Sequence, residues 1–420
     1  MAQEAMQISS TAAELAPRLR WSWLWAKKTD LLWNLVPFWA GFLLLGLIYA
    51  FPAQTGDTHK MWTVDLAGRS VSLMAVILFL YGPLVDAPHL WATIARTYTD
   101  REEWTQRRRL FLISLLAFAI GPAIVLLPYA IGAILPLPAG GEKLGWAVWS
   151  WAFSFYALFH INRQHWGFVA LYNRKSGDTA NKVETRADSL FFQTAIWLPY
   201  VAMLTAPWYL DFDGKPFRLM QLALGPTTVG AVLHTACNIG FFVVCAAYAA
   251  FQIGQWRKGH ARNGSKLVYE ATVLGLYFLT FAVDPRLATF WVIVTGTGHC
   301  AQYHAVVWAY GKKRYAGDKQ NLPTKIFGNI WLYIALGVLF GLVTLQGPGA
   351  GVFQRLVGRA FGAISPGAGF DIGIKVALAF IAGVRLHHFY VDSKIWKVSK
   401  SAALAKNLNV EMPAPPRAPA

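Results

Sequence analysis

LFLISLLAFAIGPAIVLLPYAIGAIL, residues 110–135, holds no charged side chain, and it follows directly on Arg107, Arg108 and Arg109. At 1.5 Å of rise per residue, such a run is long enough to cross a hydrocarbon layer of roughly 30 Å as a helix. A chain in lipid must satisfy its backbone polar groups internally, which leaves the helix as the form open to one isolated apolar run. Gly121 and Pro122 predict a kink in its middle. Outward from this stretch the same pattern recurs, with an apolar run closed by a short basic cluster. It predicts helices at Leu31–Phe51, Ser70–Ala95, Leu110–Leu135, Leu144–Tyr172, Asp188–Ala206, Thr228–Phe251, Lys266–Val283, Ala288–Tyr310, Ile326–Leu345 and Gly369–Trp396. The expected fold class is therefore all-α, a polytopic transmembrane helical bundle of about ten helices. Residues 1–28 are expected to be a cytoplasmic N-terminal segment, and 29–398 a single transmembrane helical domain. Residues 399–420 are expected to form a cytoplasmic, disordered tail, its end EMPAPPRAPA being too rich in Pro and Ala to pack.

Composition agrees. The chain is 55% hydrophobic and only 14% charged, against about a quarter charged in soluble proteins. The net charge of +17 does not signal nucleic acid, because the basic residues flank apolar runs instead of forming one patch; anionic lipid headgroups suit them better. Cys237, Cys245 and Cys300 all sit in apolar stretches without paired spacing, so neither a disulfide framework nor a zinc ribbon is expected. The first 28 residues contain acids and no early apolar core, unlike a cleavable signal peptide, so insertion falls to the first helix. Lys and Arg cluster in alternate loops, around residues 18–28, 96–109, 174–182, 257–258, 312–314 and 394–400. Only nine of the 38 (Lys60, Arg69, Lys143, Lys215, Arg218, Arg286, Arg355, Arg359 and Lys375) fall on the other side. That bias predicts both termini inside, in a multi-pass protein of a prokaryotic cytoplasmic (inner) membrane. Val352–Phe361 is expected to be a short interfacial helix on the outer side.

Ten histidines occur, and eight of them lie in or at the ends of predicted helices. Ionisable side chains at membrane depth are costly and mark function by default. His89, His160, His165, His299, His304, His387 and His388 fall near the cytoplasmic ends of the inward-running helices. His234 sits off that layer, with Asn238 one turn away. The local sequences rhyme: HINRQHWGFVALYNRK at 160–175 and HCAQYHAVVWAYGKK at 299–313 share H-x4-H, an aromatic stretch, Tyr and two basic residues. Residues five apart on a helix diverge by about 140°, so each H-x4-H pair meets one ion only across an unwound turn or a π-bulge; otherwise its members serve different roles. Pairs that share a face are His160 with Gln164, Asp86 with His89, and His388 with Asp392. Neutral imidazole is a common ligand for Fe, Zn or Cu, often oriented by a carboxylate on its other nitrogen. Asp86, Asp392 and Glu270 are the carboxylates at suitable depth, for that role or for catalysis, and Tyr303 is among the tyrosines placed to hydrogen-bond nearby. For any one histidine, ordinary interfacial enrichment is the alternative.

The H-x4-H elements and the His387–His388 pair resemble the histidine boxes of integral membrane di-iron enzymes, the fatty acid desaturases, hydroxylases and alkane monooxygenases. The bacterial membrane carotene dioxygenases are a second, looser comparison. No HxxHH box is present, and ten helices exceed the usual number for the di-iron class. The resemblance implies one or two iron ions at the cytoplasmic side, an apolar or lipid-like substrate, and electrons from a separate reductase or ferredoxin. Trp151, Phe155, Tyr156, Phe159 and Trp166 are candidates to line a substrate path. A b-type haem electron carrier is the alternative on the same histidines. A proton- or metal-coupled transporter is a third, with His234 and Asn238 continuing its path.

Overall fold

The computed structural model describes residues 19–51, 62–138, 140–177, 182–206, 227–283, 290–317, 321–344, 348–366 and 368–410. They are helical almost throughout: α1 (Lys27–Ala50), α2 (Leu73–Thr97), α3 (Arg101–Gly132), α4 (Leu144–Ser176), α5 (Lys182–Thr205), α6 (Thr227–Arg257) and α7 (Gly264–Val283). They continue with α8 (Trp291–Arg314), α9 (Leu322–Gly328), α10 (Ile330–Val343), α11 (Pro348–Ile364), α12 (Gly369–Ile395) and α13 (Ala402–Leu408). Among the described residues, strands are confined to two short pairings, Leu19–Arg20 with Arg262–Asn263 and Thr63–Leu66 with Arg69–Ser72.

Among the described residues, five helices are long and apolar enough to cross a membrane: α1, α2, α3, α6 and α7. The pair α9 and α10, bent by 105°, makes a sixth if counted as one span. Asn329 is the hinge: its extended backbone ends α9, and its side chain caps the N–H groups of Trp331 and Leu332. Helices α4, α5, α8 and α12 have the length, but polar side chains interrupt their apolar runs, His160 to His165 in α4 and Arg385 to Asp392 in α12. The bend expected at Gly121–Pro122 lies upstream. Arg107 leaves helical geometry, and i→i−3 bonds of Leu115, Leu116, Phe118 and Ala119 tighten the turn just before Pro122. Asp100 caps α3 and accepts from Tyr315 and Arg314; burial would raise its carboxyl, but these hydrogen bonds outweigh it and hold it below the usual range. The expected interfacial segment lies within α11, which meets α12 at Gly358 and Gly373. Part of the expected disordered tail forms α13, with Leu404, Ala405 and Leu408 buried; residues 411–420 lie outside the described ones.

The chain divides into two compact units. Unit I comprises residues 1–52, 164–298 and 409–420; unit II comprises 53–163 and 299–408. The divisions fall inside α4 after Arg163 and inside α8 before His299.

Unit I contains a buried ionic network. Asp188 on α5, fully buried, accepts from Lys266 Nζ at 2.7 Å, Tyr248 Oη at 2.5 Å and Asn173 Nδ2 at 2.7 Å. Glu184 takes a two-pronged contact from Arg262, at 2.7 and 3.0 Å. Glu270 accepts from Tyr248 at 3.2 Å.

Unit II packs its helices on small residues, as helices without a water-driven hydrophobic force between them must. A Cβ on Gly383 would come within 2.7 Å of Phe118 Cα, and one on Gly121 within 2.8 Å of the Ala379 carbonyl oxygen. A Cβ on Gly341 of α10 would run into the carbonyl oxygen of Pro83. That contact seats the one wide turn of α2, the π-helical Gly82–Asp86, where the Ala87 N–H reaches back five residues to Gly82. Pro83 within this turn and Pro88 just after it remove two amide donors from the regular pattern. Gly341→Ala is expected to destabilise by about 1–3 kcal/mol through overpacking, read as a lowered thermal midpoint in detergent. An unchanged midpoint would show that α2 yields freely there.

Candidate metal centre

Four helices of unit II bring imidazoles together. Helix α2 carries a polar stripe, Asp86, His89, Thr93 and Arg96 at spacings of three and four, all buried. Helix α12 contributes His388 and Asp392 one turn apart, α8 contributes His299, Cys300 and Tyr303, and α4 contributes His160. The rings of His89 and His388 are 4.8 Å apart by centroid, His160 and His388 5.0 Å, His89 and His299 5.1 Å, and His160 and His299 5.2 Å, all edge to face. Ligand atoms of His89, His299 and His388 lie within 4.8 Å of one another, and so do those of His160, His388 and Asp392.

His388 shows how the cluster is oriented. Its Nδ1 lies 2.6 Å from Thr93 Oγ1, and that hydroxyl donates to Asp392 Oδ1 at 3.0 Å. Tyr303 Oη donates to the same carboxylate oxygen at 2.7 Å. Thr93 Oγ1 also lies 2.6 Å from Tyr303 Oη; in the arrangement where its one proton goes to Asp392, it accepts from His388 and the ring proton sits on Nδ1. Nε2 then carries a lone pair. It is buried, makes no hydrogen bond, and has only Asp392 Oδ2 as a near charge at 3.7 Å. His89 Nε2 is likewise buried without a hydrogen-bond partner, while its Nδ1 faces Cys300 Sγ at 3.2 Å. A buried polar atom left without a partner is costly, and a coordinated cation removes that cost. Imidazoles held through one nitrogen by a hydroxyl–carboxylate relay, with the other nitrogen open, are the arrangement metal-ligating histidines adopt. The residues therefore could hold a metal ion.

No family model, curated protein or solved structure matches the chain.

The other candidate residues lie elsewhere. His304, five residues after His299, points to Tyr333 Oη at 2.9 Å, and His387 to Tyr98 Oη at 2.7 Å. His165, five residues after His160, belongs to unit I, where its Nδ1 is 3.1 Å from Tyr269 Oη. Both α4 and α8 are α-helical across these pairs, so each H-x4-H sends its members to different environments. Gln164 also belongs to unit I. Glu270 sits in that unit's ionic network, and His234 bonds the Ala202 carbonyl and Asn238. Asp86 is present beside His89, its Oδ1 3.5 Å from Nδ1, with Oδ2 against Arg385. Thr93 was not foreseen, although it stands one turn after His89 on the same face. Thr93→Val keeps the shape and removes the relay. Metal affinity is expected to fall roughly 10–100-fold with the fold intact, measured by chelator competition; an unchanged affinity would make the hydroxyl structural only.

Proposed function

We propose that the protein is an integral membrane, histidine-ligated oxidoreductase whose unit II cluster of His89, His160, His299 and His388 holds a redox-active metal, iron in the simplest reading. The open, hydrogen-bond-free Nε2 of His388, opposite its Thr93–Asp392–Tyr303 relay, is the observation that carries this reading. When bound, such a metal supplies the dioxygen or redox activation that side chains lack. The protein's own part is to hold the imidazoles neutral, orient them, and keep water out: His89, His299 and His388 are all about 98–99% buried.

An apolar substrate is the corresponding partner. Phe389 stacks on His160 at 4.3 Å and meets Tyr156 at 5.7 Å, and Phe159, beside His160 in the chain, is 41% exposed. These aromatic side chains offer an apolar wall beside the cluster, suited to a lipid-like molecule. The ten-span arrangement, both termini in the cytoplasm of a prokaryotic cell, and a separate reductase or ferredoxin belong to the same proposal. Haem is less well suited, because rings in direct edge-to-face contact leave no porphyrin-wide gap between them. Purified protein decides: stoichiometric iron without a Soret band supports the reading, a Soret band converts it to haem, and metal-free protein with full activity rejects it.

A further inference from the structure

His89 offers both ring nitrogens. Its ring meets those of His299 and His388 and its Nε2 is buried without a hydrogen-bond partner, while Nδ1 has Cys300 Sγ at 3.2 Å and Asp86 Oδ1 at 3.5 Å. One ligand atom from each of Asp86, His89 and Cys300 lies within 4.8 Å of the others, and all three residues are buried. Ligands of a tetrahedral ion at the usual zinc distances stand about 3.4–3.6 Å apart along each edge; from Nδ1 the Asp86 oxygen stands at 3.5 Å, and the Cys300 sulfur, at 3.2 Å, has only to draw back slightly.

We propose that Asp86, His89 Nδ1 and Cys300 form a second metal site, for a borderline-soft divalent cation of the zinc type, with His89 shared between it and the histidine centre. The donor set is chemically distinct from its neighbour: one thiolate, one carboxylate and one imidazole nitrogen, against imidazoles and Asp392. Sulfur, nitrogen and oxygen together favour a zinc-like ion over a hard cation such as magnesium. Binding forms M–S, M–N and M–O bonds and releases two protons, one from the Cys300 thiol and one from His89 Nδ1, with no change of oxidation state. Arg385 on Asp86 Oδ2 leaves Oδ1 turned to the site.

Two features of the fold serve it. The π-turn Gly82–Asp86 ends on Asp86, so the extra residue in that turn sets where its carboxylate falls relative to His89, three residues on. On α8, consecutive residues diverge by about 100°, so His299 faces the histidine cluster while Cys300 faces His89 Nδ1. The inference rests on the histidine centre only for the role of His89 Nε2.

Cobalt(II) titration of the metal-stripped full chain tests it. Wild type is expected to take two Co²⁺ per chain, one of them giving a thiolate-to-cobalt charge-transfer band. Cys300→Ser is expected to take one and lose the band, although Cys237 and Cys245 remain. His388→Ala, which spares all three ligands, should keep the band while losing the other ion. One Co²⁺ in wild type without a thiolate band, or two in Cys300→Ser, overturns this site and leaves the histidine centre standing. No Co²⁺ in wild type overturns both. Should Cys300→Ser fail to fold, the double variant Cys237→Ser/Cys245→Ser decides instead: it is expected to keep the band, and its loss there overturns the site.

Discussion

Replacing His388 with alanine is expected to empty the histidine centre and abolish turnover, whereas His304→Ala and His387→Ala leave its metal in place. His388 is the imidazole common to both metal-capable groups of the cluster, with His89 and His299 on one side and His160 and Asp392 on the other. Its loss removes a direct ligand and strands the Thr93–Asp392–Tyr303 relay with nothing to orient. The fall in affinity should therefore exceed the roughly 10–100-fold that follows removal of an outer hydrogen bond. His304 and His387 instead end on Tyr333 and Tyr98, and their truncation should register only as modest destabilisation. Metal content of the three purified variants, measured in one detergent, separates these outcomes. Equal loss from His387→Ala would mean that the neighbouring imidazole, not His388, holds the ion.

The second large effect concerns stability. Lys266→Met is expected to cost about 3–5 kcal/mol, because it removes one partner from a buried set of charges. Asp188 and Lys266 are essentially without solvent contact, and Glu184 and Glu270 are nearly so. After the substitution Arg262 alone would face three carboxyl groups, and Asp188 would keep neutral donors from Tyr248, Asn173 and, at 3.5 Å, Gln252. Adding Asp188→Asn to the same chain should recover much of the loss, since an uncompensated charge is worse than no charge. Unfolding of the single and double variants in the same detergent measures both. A single-variant cost below about 1 kcal/mol would show that water reaches Lys266.

Glu270, which the sequence places at the depth of the metal residues, bonds Tyr248 in the ionic network of unit I. Its depth along a predicted helix suited a ligand, but depth says nothing about azimuth or neighbours. A local signal did exist: Lys266 stands four residues earlier on the same helix, the spacing at which opposite charges meet. Thr93 was legible in the same way from His89. Cys300 was read as one more apolar position, because nothing in its own helix reveals that Asp86 and His89 of α2 come up against it.

The sequence by itself determined that the chain is helical and lipid-compatible, and it marked out the histidines. Those features follow from composition along one segment: lipid excludes unpaired backbone and charge, so apolar runs of sufficient length and the few ionisable groups inside them stand out. Only the tertiary structure decided which imidazoles meet. A five-residue step turns about 140° around a helix, so one histidine of each H-x4-H pair joins the cluster while the other is carried away to a tyrosine. What surrounds each face depends on how the helices of unit II pack through glycines and a π-turn, and that contact is absent from any single segment of the chain.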